Sequence, residues 1–124
     1  MRLGTVCLGM ACTLALALPA SAHHSHAMYE TGKRITLDGT VKEWQWANPH
    51  VFLYVMVTDQ SGKSVQWVLE GGGVNGMGTR GWRSDSFKPG DKVQVQFRPL
   101  KDGSSGGVLG TVFFPDGRSL NHPD

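Results

Sequence analysis

A run of β-forming residues over positions 41–57, interrupted by Asn48 and Pro49, constrains the fold of this chain more than any other feature. Proline fixes φ, lacks an N–H group and disfavours the helical conformation of the residue before it. The run therefore divides into two strands joined by a turn. We interpret it as a β-hairpin at the centre of a small sheet.

The first strand of this hairpin is predicted to start near residue 33 and to contain a bulge. From Ile35 to Val41, apolar and polar residues alternate with the period of two that is typical of a half-buried strand. Trp44 and Trp46 then fall on the opposite phase, so an extra residue near Lys42 and Glu43 is expected to bend the strand. The same patterning and the turn signals between segments predict four further strands, over residues 51–58, 64–69, 92–98 and 108–114.

A glycine-rich insert separates the third and fourth predicted strands. Each of the five glycines between Gly71 and Gly78 costs about 1 kcal/mol relative to alanine where it is helical. We expect a single helical turn or an irregular loop, with Val74, Met77 and Trp82 closing one end of the core. The order predicts an all-β fold: a small five-stranded antiparallel OB-like barrel with a short helical insert between strands 3 and 4. A bent antiparallel sheet or a small sandwich fits the same pattern.

Residues 1–22 have the layout of a secretory signal peptide. A positive start at Arg2 is followed by an apolar run over residues 3–18 and an A-x-A pattern ending at Ala22. An uncleaved membrane anchor is the rival interpretation, but the apolar run is shorter than the roughly 20 residues that cross a bilayer. We predict cleavage after Ala22, a periplasmic or secreted location and no stable membrane anchor afterwards. The mature chain then consists of a flexible His-rich arm (residues 23–32), a β domain (33–120) and a frayed tail (121–124).

Composition excludes several functions for the mature chain. Both cysteines, Cys7 and Cys12, lie in the signal, so no disulfide or cysteine metal site remains. Loss of Arg2 lowers the net charge from +2 to +1, and no basic run is present, which argues against a nucleic-acid partner. No nucleophile elbow, zinc-protease motif or phosphate loop appears, and we predict a non-catalytic protein.

Histidine is the residue type that carries the sharpest functional hypothesis. Cleavage after Ala22 would place His23 first, followed by His24 and His26. The α-amine and the imidazole of one residue can chelate a metal ion, and imidazole is a ligand for which copper has the highest affinity. His50, after the Asn-Pro turn, could add a ligand from the folded body. The alternative is that these are solvated terminal histidines and that His50 only hydrogen-bonds the turn.

The tryptophans offer a second hypothesis. Trp44, Trp46 and Asn48 could line a ligand face next to the loops at residues 48–50 and 101–107, which flank the binding face of OB barrels. The chain would then be an accessory or interaction domain for a protein partner or a small organic ligand. Packing of the tryptophans in the core and at its rim is the alternative that we favour.

Several motifs together resemble those of a family of small exported bacterial proteins of unknown function. They are the post-signal histidines, the Asn-Pro-His turn, a Gly-Trp pair, a Lys-Pro-Gly-Asp turn and a closing Pro-Asp-Gly-Arg, at residues 23–24, 48–50, 81–82, 88–91 and 115–118. The resemblance implies an exported single-domain β protein and carries no established activity or ligand. Gly76 and Gly78 stand where that family is expected to have better helix formers.

Overall fold

In the computed structural model, which describes residues 26–123, a 3₁₀ turn (His26–Met28) precedes six strands and one α-helix. The strands are β1 (Ile35–Gln45), β2 (Phe52–Thr58), β3 (Ser64–Glu70), β4 (Lys92–Pro99), β5 (Gly106–Phe113) and β6 (Ser119–Asn121). The helix α1 (Val74–Thr79) lies between β3 and β4. The five long strands and the helix occupy the segments that the sequence pattern predicts, and β6 is an additional short strand.

The strands form a closed barrel, as predicted. Their order is β3-β2-β1-β4-β5-β6, and an additional pairing of β3 with β5 closes the sheet on itself. That pairing is parallel, through Val68 with Gly106 and Glu70 with Val108. The expectation of an entirely antiparallel barrel is therefore slightly wrong. Along the chain, the insert and β4 separate β3 from β5. This connection brings β5 back beside β3 in the same direction, and the pairing is therefore parallel.

The predicted bulge in the first strand is confirmed. The pairing of β1 with β2 shifts between Val41 and Glu43, where the alternation of apolar residues changes phase. Before the shift, β1 pairs with β4, from Ile35 opposite Phe97 to Thr40 opposite Lys92. One bent strand therefore belongs to both halves of the barrel.

The barrel interior is filled by aliphatic and aromatic side chains from every long strand. The buried cluster consists of Val41, Val51, Leu53, Val55, Leu69, Met77, Trp82, Phe87, Val93, Val95, Phe97, Leu109 and Val112. Close packing constrains β1 most strongly at Gly39, where a Cβ atom would lie 2.3 Å from Cγ1 of Val55 and 2.8 Å from the carbonyl oxygen of Met56. Glycine is therefore required for the close approach of β1 and β2.

Helix α1 places two side chains of the insert in the core. Met77, within the helix, and Trp82, just after it, are both almost completely buried. The N-cap residue of the helix is Gly73, which has no side chain to cap it. Instead, Oδ1 of Asn48 accepts a hydrogen bond of 3.0 Å from the Val74 N–H. Within residues 26–123, no helix has the length and apolar character needed to cross a membrane.

Candidate functional site

A histidine and a carboxylate meet where the β1–β2 loop joins β2. His50 precedes β2, and Glu70 is the last residue of β3, directly opposite Phe52 in the antiparallel pairing. This register brings Nδ1 of His50 into contact with Oε1 of Glu70. The side chain of His50 is 42% exposed, whereas that of Glu70 is 13% exposed. The imidazole is therefore accessible to a ligand, and the carboxylate lies beneath it.

The second oxygen of this carboxylate holds a tyrosine from the amino-terminal segment. The Tyr29 hydroxyl donates a hydrogen bond of 2.8 Å to Oε2 of Glu70, and Tyr29 is only 6% exposed. Burial, followed by the hydrogen bond to Glu70 and the negative charge of Glu70, raises the pKa of Tyr29 to about 12, against an opposing effect of Arg98. The phenol therefore stays protonated and can donate this bond over the whole neutral range.

Backbone contacts hold the same segment along the end of β4. Tyr29 forms an isolated antiparallel bridge with Leu100. The Glu30 N–H donates to the Pro99 carbonyl, and the Lys101 N–H donates to the Met28 carbonyl, each at 2.9 Å. The loop that follows β4 and the turn that contains His50 are thus linked through Tyr29 and Glu70.

Of the four predicted metal ligands, only His50 has a described side chain. His23 and His24 lie outside the described residues, and His26 begins the 3₁₀ turn three positions before Tyr29. Among the residues that the structure describes, no three histidine, cysteine, aspartate or glutamate side chains are grouped closely enough to hold a metal ion.

The tryptophans that were predicted to line a ligand face take part in an aromatic cluster. Trp44 lies 5.6 Å from Trp46, 5.9 Å from Trp82 and 5.1 Å from Phe87, measured between ring centroids. Its indole N–H donates to the Arg83 carbonyl at 2.9 Å. Trp44 and Trp46 are half-buried and pack against the core. Packing therefore explains the presence of both tryptophans at these positions, and the binding of a ligand to this face stays a prediction.

Asn48 has a structural role in the position where it was predicted to line a ligand face. Its side-chain oxygen caps α1, and a Cβ atom on Gly73 would lie 3.2 Å from that oxygen. The peptide bond to Pro49 is cis. The β1–β2 turn is therefore joined to the helical insert on one side and, through His50, to Glu70 on the other.

A solvent-exposed cleft lies away from His50. It has a volume of about 630 Å³ and is lined by residues of β1, β2, β4 and the end of β5, including Gly39, Met56, Lys92 and Phe113. Polar side chains already pair along it, with Lys92 donating to Thr40 at 2.8 Å and Gln94 donating to Asp38 at 3.0 Å. The cleft is wide open to solvent, and none of the candidate residues lines it.

Sequence reasoning missed Glu70 and Tyr29. The sequence pattern ends the third strand at residue 69 and so leaves Glu70 in the glycine-rich insert, although the short turn after Thr58 provides a usable signal. Counting outward from the pair Thr58 and Ser64 places Glu70 opposite Phe52, beside His50. Tyr29 stands in a polar stretch without periodicity, so no pattern in the sequence predicts its burial.

The fold and this site define a small closed β-barrel of the OB type with an amino-terminal segment anchored beside an accessible histidine. Comparison with known families identifies the chain more closely. The sequence model of a family of unknown function, DUF6152, matches residues 11–110, and the chain belongs to this family. Searches of curated proteins and of solved structures gave no match.

Proposed function

We propose that the mature chain is a transition-metal-binding module, with copper as the preferred metal, that acts in the periplasm or outside the cell. His50 supplies a ligand from the barrel. The α-amine of His23 and the imidazoles of His23, His24 and His26 supply the others. Imidazole suits copper, nickel and zinc, and copper is first in the usual order of affinity.

The observation that carries this proposal is the anchoring of the arm beside His50. Tyr29 bonds to the carboxylate that contacts His50, and its backbone is paired with Leu100. An extended chain advances at most about 3.6 Å per residue. The Cα atom of His24 can therefore be no more than about 18 Å from that of Tyr29, and the Cα atom of His26 no more than about 11 Å. The arm can therefore fold back to bring its imidazoles to the exposed ring of His50.

The export step supplies the remaining ligand. Cleavage after Ala22 would leave His23 with a free α-amine, whose ordinary pKa is about 8. An amine and an imidazole on one residue close a chelate ring on one metal ion, which reduces the entropy cost of assembling the site. The proposal therefore applies to the processed chain that begins at His23.

Titration of this processed chain with Cu(II), followed by calorimetry and electron paramagnetic resonance, tests the proposal. We expect one copper per chain with nitrogen ligands. His50→Gln should raise the Kd at least about tenfold, since losing even a residue that only supports a ligand has an effect of that size. Failure of the unaltered chain to bind Cu(II) would refute the module.

A matched histidine of the same barrel serves as the control. His122 follows β6, and its N–H donates to the Gly110 carbonyl at 2.9 Å. We expect His122→Gln to leave copper affinity unchanged. Equal weakening by His50→Gln and His122→Gln, together with equal losses in the free energy of unfolding, would show that loss of stability, and not loss of a ligand, explains the effect.

The contribution of the amine can be measured separately. Acetylation at near-neutral pH modifies an α-amine ahead of lysine side chains, whose ordinary pKa is about 10.4. We expect the chain acetylated at His23 to bind Cu(II) more weakly and with fewer nitrogen ligands. Unchanged affinity and an unchanged spectrum would remove the amine from the coordination sphere.

A further inference from the structure

Both oxygens of the Glu70 carboxylate are already occupied in the folded barrel. Oε1 contacts Nδ1 of His50, and Oε2 accepts the hydroxyl proton of Tyr29. The carboxylate lies largely beneath the surface, and the imidazole above it is accessible. The carboxylate is thus arranged as a support for the imidazole and less well as a direct ligand of a metal ion.

We infer that Glu70 is a positioning residue that keeps the proton of neutral His50 on Nδ1 and so presents Nε2 to the metal ion. The inference rests on the proposed function for the choice of metal ligand, whereas the tautomer is a property of the metal-free protein. The ligand atom, Nε2 of His50, and the second residue of the site, Glu70, do not follow from the pattern of histidines in the sequence.

The argument begins with the hydrogen-bonding capacity of the two groups. An ionised carboxylate only accepts, and a neutral imidazole has one N–H donor and one acceptor nitrogen. The contact between Nδ1 and Oε1 therefore requires the proton on Nδ1, which leaves the lone pair on Nε2. Histidine in water favours the opposite tautomer, so Glu70 has to reverse an intrinsic preference.

The charge on Glu70 also affects the strength of the ligand. A carboxylate that accepts the other ring N–H fixes the orientation of a metal-binding imidazole and raises its basicity. Glu70 keeps this role without exposure because Tyr29 satisfies its second oxygen. A positive charge is close to this pair as well: Arg98 on β4 and Glu70 on β3 both pair with Val108 of β5.

Tyr29 and Glu70 make separable contributions. Tyr29→Phe removes the bond to Oε2 and leaves the contact between Glu70 and His50. Loss of the Glu70 carboxylate removes both contacts. The tautomer should therefore depend on Glu70, and only weakly on Tyr29.

The first test uses the metal-free processed chain. Long-range proton–nitrogen correlation spectra at high pH, where the imidazole is neutral, distinguish the two tautomers of His50. We expect the proton on Nδ1 in the unaltered chain and in Tyr29→Phe, and a shift toward Nε2–H in Glu70→Ala. A proton on Nε2 in the unaltered chain would overturn the inference, whatever the metal affinity.

The second test measures Cu(II) binding by Glu70→Gln. We expect the Kd to rise about 10- to 100-fold, the range for groups that support a metal ligand. The number of nitrogen ligands in the spectrum should stay the same, because His50 remains. A Kd equal to that of the unaltered chain would overturn the positioning role.

Glu43→Gln is the matched control, because Glu43 is an exposed glutamate on β1 and the substitution removes the same charge. We expect it to leave both tautomer and affinity unchanged. Equal weakening by the two variants would assign the effect to overall charge and overturn the inference. If the unaltered chain binds no copper, the proposed function and the ligand role of Nε2 fail together, and the Nδ1–H tautomer can still be confirmed.

Discussion

At the scale of single residues, Glu70 has the largest influence on the candidate site. One carboxylate joins a histidine that precedes β2 to a tyrosine 41 positions away from Glu70 along the chain. Hydrogen bonds to charged groups contribute about 1.5–3 kcal/mol each. Their removal should therefore affect both stability and the position of the arm.

The pH dependence of stability should report the burial of Tyr29. Its pKa is raised to about 12, and an unfolded tyrosine titrates near 10. Because the folded state holds this proton more tightly, protonated Tyr29 stabilises the folded protein. This stabilisation is complete below pH 10 and is lost as the pH rises toward 12. We expect the free energy of unfolding, measured with urea, to fall over that range, and to fall less in Tyr29→Phe.

Absorbance of the phenolate gives an independent check. The difference between the titrations of the unaltered chain and of Tyr29→Phe isolates this phenol, since the chain has two tyrosines. We expect a midpoint near pH 12. A midpoint near pH 10 would contradict the buried, hydrogen-bonded hydroxyl.

Sequence reasoning at this scale predicts His50 as a candidate ligand and misses its contact with Glu70 and the hydrogen bond from Tyr29 to the same carboxylate. His50 is conspicuous because it follows an Asn-Pro turn. Tyr29 is a single aromatic residue among polar ones, and the energy that fixes it comes from contacts with Glu70 and Leu100, which are distant in sequence. No local pattern encodes such contacts.

At the scale of elements, the β1–β2 turn and helix α1 stabilise one another. The helix is short and contains Gly76 and Gly78, so its intrinsic stability is low. The side chain of Asn48 compensates by accepting the Val74 N–H. A turn that was predicted to face a ligand thus serves in part to cap a helix.

Removal of this cap should lower stability by a moderate amount. We expect Asn48→Ala to reduce the free energy of unfolding by about 1 kcal/mol, the usual cost of losing a side-chain cap. Asn48→Asp keeps an acceptor oxygen and should cost less. Chemical denaturation measures both, and an equal loss in the two variants would argue against the capping bond.

The close approach of β1 and β2 at Gly39 should tolerate no larger residue without loss of stability. In Gly39→Ala, the new methyl group would overlap Val55 and the Met56 carbonyl, and overpacking of this kind costs about 1–3 kcal/mol. Gly76→Ala is the matched control, since nothing lies within 4 Å of a Cβ atom there. Alanine should stabilise the helix at that position by up to about 1 kcal/mol. In thermal unfolding, we expect Gly39→Ala to lower the Tm and Gly76→Ala to raise it.

The elements and their closure into a barrel were largely predictable, and the parallel direction of the closing pair was not. A change of phase between Val41 and Trp44 predicts the bulge, because side chains alternate across a strand. The parallel pairing of β3 with β5 leaves no such signal, since it depends on how the whole sheet curves. The mixed barrel therefore becomes apparent only in three dimensions.

At the scale of the whole molecule, an aromatic cluster joins the hairpin, the insert and the carboxy-terminal segment. Phe87 stacks on Phe114 with centroids 5.4 Å apart, and Trp44 and Trp82 pack against the same group. The indole N–H of Trp82 donates to the Asn121 carbonyl at 3.1 Å. The last described residues are thereby held against the barrel.

Trp82 should be the tryptophan with the greatest effect on global stability. Trp82→Phe leaves a cavity and an unpaired carbonyl at Asn121, and we expect a loss of about 2–4 kcal/mol. Trp46→Phe, at a half-buried position, should cost less. Urea denaturation gives the comparison, and an equal loss at both positions would contradict the central place of Trp82.

The anchoring of Tyr29 has a consequence for how the chain matures. Its docking surface is assembled from Glu70 at the end of β3 and from residues 99–101 at the end of β4 and just beyond it, on either side of the seam where β3 meets β5. In a nascent chain in which β3 and β5 are not yet paired, the docking surface for the amino-terminal segment is not yet formed. Closure of the barrel must therefore precede the docking of Tyr29.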